Sequence, residues 1–259
     1  MTRKNYKLTI QYDGSDFHGW QIQAKGRTVQ GDIENALSVI YPGETITLIG
    51  AGRTDAGVHA LGQVAHISLP LKHTAAELQK ALNGNLKHDV RIDMVEDADD
   101  DFHARFSATA REYEYHMVKH FSPVTRNHTT LLKWKVDRKL LKECADVLTG
   151  EHDFTSFCKA TAEVDHKLCI VHSAGWEEST ERLIFKVRAN RFLQHMVRII
   201  AGTLVEVGRG YKNVEDVAQA LESGQRKQAG KTAPGHGLYS LSVIYPEGMI
   251  EWPLEVLDN

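Results

Sequence analysis

The sequence predicts an α+β fold built from two similar halves, each with several mainly antiparallel strands and two helices. Three observations lead there. Apolar and polar residues alternate with period two at residues 6–12 and 110–119. Helical spacing appears in separate blocks flanked by capping residues. The helices do not alternate one for one with single strands, which disfavours a doubly wound parallel sheet.

The elements follow in order. Tyr6, Leu8, Ile10 and Tyr12 form the apolar face of a half-buried strand, opposite Lys7, Thr9 and Gln11. Asp13-Gly14-Ser15 ends it with turn chemistry. Thr28 is placed to cap a helix carrying Val29, Ile33, Leu37 and Ile40, stopped by Tyr41-Pro42-Gly43. A short strand at 45–49 runs directly into Gly52-Arg53-Thr54-Asp55-Ala56-Gly57-Val58-His59-Ala60. Residues 63–69 read as a strand, 74–82 as a helix ended by Asn83-Gly84, and 90–95 as a strand. The acidic residues Glu96, Asp97, Asp99, Asp100 and Asp101 read as a solvated loop.

In the strand at 110–119, Tyr113, Tyr115 and Met117 oppose Glu112, Glu114 and His116. Asp137 precedes a helix with Leu140, Leu141, Cys144, Val147 and Leu148. Strands are expected at 171–176 and 183–188, and an apolar helix at about 192–207 with Gly208 as its stop. A shorter helix at 214–221 and a strand at 238–245 complete the chain. The boundary falls within 100–136, giving 1–105 as one half and 106–259 as the other.

With 42% hydrophobic and 25% charged residues, 259 residues suffice for a core without disulfides or a structural metal. No apolar run approaches the roughly 18 residues that span a bilayer, and no secretory h-region follows the first basic residues. Cys144, Cys158 and Cys169 form no Cys-x-x-Cys and read as free thiols, so a cytoplasmic protein is expected. The net charge of −3 rises to +2 once the five acidic residues at 96–101 are set aside. Phosphate binding depends on the local field, so the total neither supports nor excludes a nucleic-acid partner.

Two readings fit the Gly52–Ala60 segment. Gly52 and Gly57 let the chain turn sharply, and Asp55 is then either an Asx-type turn residue or a carboxylate held for chemistry. A dinucleotide loop fails because Asp55 stands where a third glycine is required. Gly230-Lys231-Thr232 is no phosphate loop, since five residues separate Gly224 from Gly230 where four are needed. The fourteen histidines show no metal-ligand spacing, so no metal is expected. Arg191, His195 and Arg198 would share one face of the apolar helix. A guanidinium partly buried there needs a carboxylate, and Asp55 is chemically suitable.

The Gly52–Ala60 segment resembles the signature of the tRNA pseudouridine synthase A family. Further matching segments occur in the family's order. They are Arg27-Thr28-Val29-Gln30, Phe102-His103-Ala104-Arg105-Phe106-Ser107, Arg111-Glu112-Tyr113-Glu114-Tyr115, Gly150–Phe157, Met196-Val197-Arg198 and Thr232–Tyr239. The resemblance implies two ferredoxin-like halves flanking a central basic cleft, in a homodimer. It implies isomerisation of uridine to pseudouridine at tRNA positions 38, 39 and 40 of the anticodon stem-loop, with no cofactor. Asp55 matches the nucleophile, Tyr113 the tyrosine that stacks on the target base, and Arg198 the arginine paired with the aspartate. Arg53 matches an arginine that replaces the flipped base, while His59, Arg27 and Arg105 fall among the substrate-binding positions. Arg191 and Ser240 depart from the family's usual residues without touching that set.

Overall fold

A computed structural model describes residues 3–161 and 166–246. The chain forms two compact units: one runs to Thr109 and resumes at Ser240, and the other is Ala110–Tyr239.

The first unit contains β1 (Arg3–Tyr12), α1 (Val29–Ile40), β2 (Ile49–Gly50), β3 (His59–Pro70), α2 (Ala75–Asn85) and β4 (Val90–Ala98). β1 pairs antiparallel with β3 on one side and β4 on the other. Tyr6, Leu8 and Ile10 point into the core with Ile33 and Leu37 of α1 and with Leu78 and Leu82 of α2. Thr28 caps α1 by accepting from the Gly31 amide, and Thr74 and Glu77 form a reciprocal capping box on α2. Both helices therefore start where side-chain oxygens satisfy amides that have no partner within the helix.

The second unit contains β5 (Ala110–Val118), β6 (Thr130–Leu131), α3 (Arg138–Leu148), β7 (Gly150–Asp153), β8 (Leu168–Glu178), β9 (Arg182–Ala189), α4 (Met196–Gly208) and α5 (Val214–Ser223). Its sheet order is β5-β9-β8-β7, antiparallel throughout, with β6 parallel to β5. β10 (Leu238–Ile244) then brings the chain back to the first unit, where it pairs with β3. The architecture is α+β and mostly antiparallel, as the sequence predicts.

Several elements differ from expectation. The return from Ser240 joins the first unit, whereas the sequence reading left everything beyond 105 in the second. β1 is not half-buried: Lys7 and Thr9, expected to face solvent, are each only 7% exposed. The Lys7 ammonium lies 5.3 Å from the Tyr245 ring centre and 3.2 Å from Glu96. The acidic run thus begins as strand, with Glu96 and Asp97 on β4 ion-paired to Lys7 and Lys4 of β1. α2 continues through Asn83-Gly84 because the Asn83 side chain bonds both backbone groups of Ile92 instead of ending the helix. β2 is only two residues long, and β3 begins at His59, inside the Gly52–Ala60 segment.

Among the described residues no helix is long and apolar enough to cross a membrane. All three cysteines are buried free thiols. Burial pushes Cys144 up to about 12 and Cys169 to about 11, so neither is a ready nucleophile.

Candidate active site

In the first unit, half-buried Asp55 opens a turn over residues 55–58 whose neighbours are tied down. On one side Thr54 is buried: its hydroxyl meets the Tyr12 hydroxyl at 2.8 Å, and its carbonyl accepts from the Trp20 amide at 3.1 Å. On the other side Gly57, at φ +75°, donates to the Phe17 carbonyl at 3.3 Å, and the Val58 amide closes the turn on the Asp55 carbonyl at 3.2 Å. The chain from Gly14 to Trp20 cradles this turn at close range. A Cβ on Gly14 would stand 2.0 Å from the Val58 carbonyl oxygen, and one on Gly19 2.6 Å from that of Thr54. Gly19 also has φ +98°. Asp55 is therefore placed by backbone contact on both flanks, which a plain Asx turn does not require.

The two glycines of the segment are not equivalent. Gly57 adopts the left-handed conformation the turn demands, but Gly52 lies outside that region and a Cβ there would meet nothing within 4 Å. The chain does bend at Gly52, as expected, but that bend does not require glycine.

His59 is 2% exposed. Its Nδ1 accepts from the Gly14 amide at 3.0 Å and lies 3.1 Å from Asp13 Oδ1, so within this unit it fastens the turn to the end of β1. Arg53 is exposed beside Asp55. Arg27 donates to Asp32 at 2.6 Å and to both oxygens of Asp89, and its guanidinium stacks 4.2 Å from the Phe17 ring centre. The bond to Asp89 raises the Arg27 pKa, and the same bond holds Asp89 below the usual carboxylate range. Arg27 thus braces the cradle, because its carbonyl also accepts from the His18 amide at 2.8 Å. Arg105 is exposed in the turn after β4.

In the second unit, Tyr113 on β5 meets Phe192 edge-on, with ring centres 5.0 Å apart and planes at 77°. Such a contact fixes a half-buried ring without covering both its faces. Arg198 lies in the first turn of α4. Its Nε donates to the Ala233 carbonyl at 2.8 Å, and the Ala233 amide returns a bond to the Arg198 carbonyl at 3.0 Å. Tyr115 donates to the neighbouring Pro234 carbonyl at 2.9 Å. Burial pushes the Tyr115 hydroxyl up to about 12, although Thr130 and Arg198 pull it down. Burial, then the Arg198 charge, lowers His236, so that ring favours its neutral form. A cavity of about 520 Å³ between Met117, Trp134, Val205 and Arg209 contains neither Tyr113 nor Arg198.

The helix carrying Arg198 starts four residues later than expected. His195 has φ +66°, the only positive φ among described residues other than glycine, and α4 begins at Met196. Arg191 and His195 therefore do not share a helical face with Arg198. A left-handed conformation at a non-glycine residue costs about 1–3 kcal/mol. Here it turns the chain from the stretch after β9 into α4. Gly19, Trp20 and Phe192 join these sites without a chemical motif of their own; the Gly19-Trp20 pair ahead of the Thr28 cap is the local signal for the first two.

The family model for tRNA pseudouridine synthase matches residues 8–107 and 144–246, spanning the Asp55 turn and Arg198. The chain belongs to the tRNA pseudouridine synthase family. Its relatives agree along nearly their whole length. A protein of Anoxybacillus flavithermus named tRNA pseudouridine synthase A is 44% identical over 243 residues, covering 93% of this chain and 99% of that one. Proteins of the same name from Bacillus subtilis and Halalkalibacterium halodurans are each 43% identical. They cover 92% and 96% of this chain, and 98% and 95% of their own. By family the chain is an isomerase, and the residues of the Asp55 turn and Arg198 fall inside the matched regions.

Proposed function

We propose that this enzyme converts uridine to pseudouridine at positions 38, 39 and 40 of the tRNA anticodon stem-loop, with Asp55 as the nucleophile. The observation that carries the reading is the Asp55 turn: a half-buried carboxylate whose two flanks are fixed by Thr54 and Gly57. The reaction breaks the N1–C1′ bond, turns the uracil and joins C5 to C1′; C5 gives up its proton and N1 gains one. No electron or donor group is exchanged, so the chain's own residues suffice.

An aspartate carboxylate beside the sugar serves this chemistry by adding to C1′, by opening a glycal path or by attacking C6 of the base. Extracting the base from its stack costs a few kcal/mol, of which stacking on Tyr113 returns roughly 1–3. Tyr113, packed T-shaped against Phe192, is the ring this reading assigns to that role. In this reading Arg198 supplies the positive charge paired with Asp55 and fixes its aim. Arg53, exposed next to Asp55, takes the place of the displaced base, with His59, Arg27 and Arg105 supporting RNA binding. The proposal extends to two ferredoxin-like halves around a basic cleft, a homodimer and a cytoplasmic setting.

Purified Asp55→Ala protein, assayed on tRNA by carbodiimide-blocked primer extension, should bind tRNA yet form no pseudouridine. Persistent modification by that variant would sink the assignment.

A further inference from the structure

Phe106 is held 75% exposed at the end of a ladder of rings. The ladder starts in the interior at Phe102, which is 5% exposed and 6.0 Å from the His66 ring. It continues to His103 at 4.6 Å and ends on Phe106 at 4.4 Å, with the last two planes 33° apart. The turn carrying Phe106 is fixed from within. The His103 amide donates to Ser107 Oγ at 3.0 Å, the Ser107 amide to the His103 carbonyl at 2.9 Å, and the Ala104 amide to His66 Nδ1 at 3.1 Å. His103 Nδ1 accepts from the amides of both Arg105 and Phe106, each at 3.2 Å. The Arg105 guanidinium lies 5.6 Å from the Phe106 ring centre.

A solitary exposed apolar side chain needs no explanation. This one differs because its backbone is locked, one side of its ring is backed by His103, and a cation stands beside it. Preorganised aromatic surface next to a guanidinium is what a single-stranded nucleic acid uses: the base stacks and the phosphate pairs.

We propose that Phe106 is a stacking platform for an unpaired nucleobase of the RNA substrate, with Arg105 on the adjoining phosphate. This rests on the RNA substrate named under Proposed function and adds a subsite to it. Residues close in sequence to the platform and to the Asp55 turn share one small cluster of Ala51, Val64, Phe102, Ala104 and Tyr245. Ala51 leads to Asp55 in four residues and Ala104 to Phe106 in two. At about 3.5 Å per residue those two stretches reach at most roughly 21 Å together. That is about six stacked bases at 3.4 Å each, within the scale of one stem-loop.

The test is equilibrium binding of an anticodon stem-loop RNA, and of a blunt duplex of equal length, across a salt series. Phe106→Ala should weaken stem-loop binding roughly 5- to 150-fold with the slope of log K against log salt unchanged. Phe106→Trp should bind like the parent. Arg105→Gln should flatten the slope by about 0.7 to 0.9. Duplex binding should be indifferent to Phe106→Ala. Unchanged stem-loop affinity, or an equal loss on the duplex, in a Phe106→Ala protein of parental melting temperature would overturn the proposal. Pseudouridine formation by the parent, measured on the same preparation, separates failure of this subsite from failure of the enzymatic reading.

Discussion

Replacing Gly19 by alanine isolates the contact that sets the Asp55 turn. The new Cβ would stand 2.6 Å from the Thr54 carbonyl oxygen, where ordinary contact begins at 3.4 Å, so the oxygen must retreat by about 0.8 Å. That oxygen accepts from the Trp20 amide, and Thr54 immediately precedes Asp55. The left-handed φ of +98° costs an L-residue about 1–3 kcal/mol, and stretching the hydrogen bond adds about 1. At roughly 2–4 °C per kcal/mol the melting temperature should fall by about 5–15 °C. A displacement near 1 Å at a reacting group is worth on the order of a hundredfold in rate. The expected result is a folded protein whose kcat for pseudouridine formation drops by that order while its tRNA affinity holds. Gly43→Ala is the control: its φ is +85°, but nothing lies within 4 Å of the new Cβ. It should lose stability by the backbone strain alone and keep full activity. A Gly19→Ala enzyme with the activity of Gly43→Ala would refute the idea that this cradle positions Asp55.

Three further outcomes follow from the same geometry. Thr54→Val and Tyr12→Phe each remove the 2.8 Å hydroxyl pair, so each should cost about 1–3 kcal/mol in chemical unfolding, and the double variant no more than the larger single loss. Gly52→Ala should leave thermal stability unchanged or raise it by about 0.4–1 kcal/mol, because its φ is ordinary and its Cβ direction is open. Asp89→Asn should destabilise the protein by about 1.5–3 kcal/mol at neutral pH. The folded Asp89 has a depressed pKa, so its contribution is complete above the ordinary aspartate value and disappears as pH falls through the lower folded one. Urea midpoints of parent and variant should therefore converge in strong acid.

The strands and helices with clean periodicity were legible in the sequence: β1, β5, α1 and α3 stand where alternation and Thr28 or Asp137 put them. Elements set by tertiary contact were not. β6 and β7 are short pairings that no local pattern marks, and α2 outruns its Asn-Gly because Asn83 is occupied by Ile92. The return of the chain from Ser240 to the first unit depends on pairing across the length of the chain, and it sets the Tyr245 ring over Lys7 against expectation. Asp55 stands out through its segment, yet composition alone favours a turn residue there over a reactive carboxylate. The contacts of Gly14, Gly19 and Thr54 show how its flanks are held, and those contacts come from residues 36–41 positions upstream of Asp55 at Gly19 and Gly14. His195 was assigned to a helix because its neighbours are apolar, but its left-handed backbone has no signature in composition.

Mapping pseudouridine in tRNA from cells lacking this chain, complemented with either the parent or Asp55→Asn, tests the central claim most directly. Complementation should restore pseudouridine at positions 38 to 40 with the parent and leave uridine there with Asp55→Asn. Restoration by Asp55→Asn, or unaltered modification in cells without the chain, would contradict the assignment of Asp55.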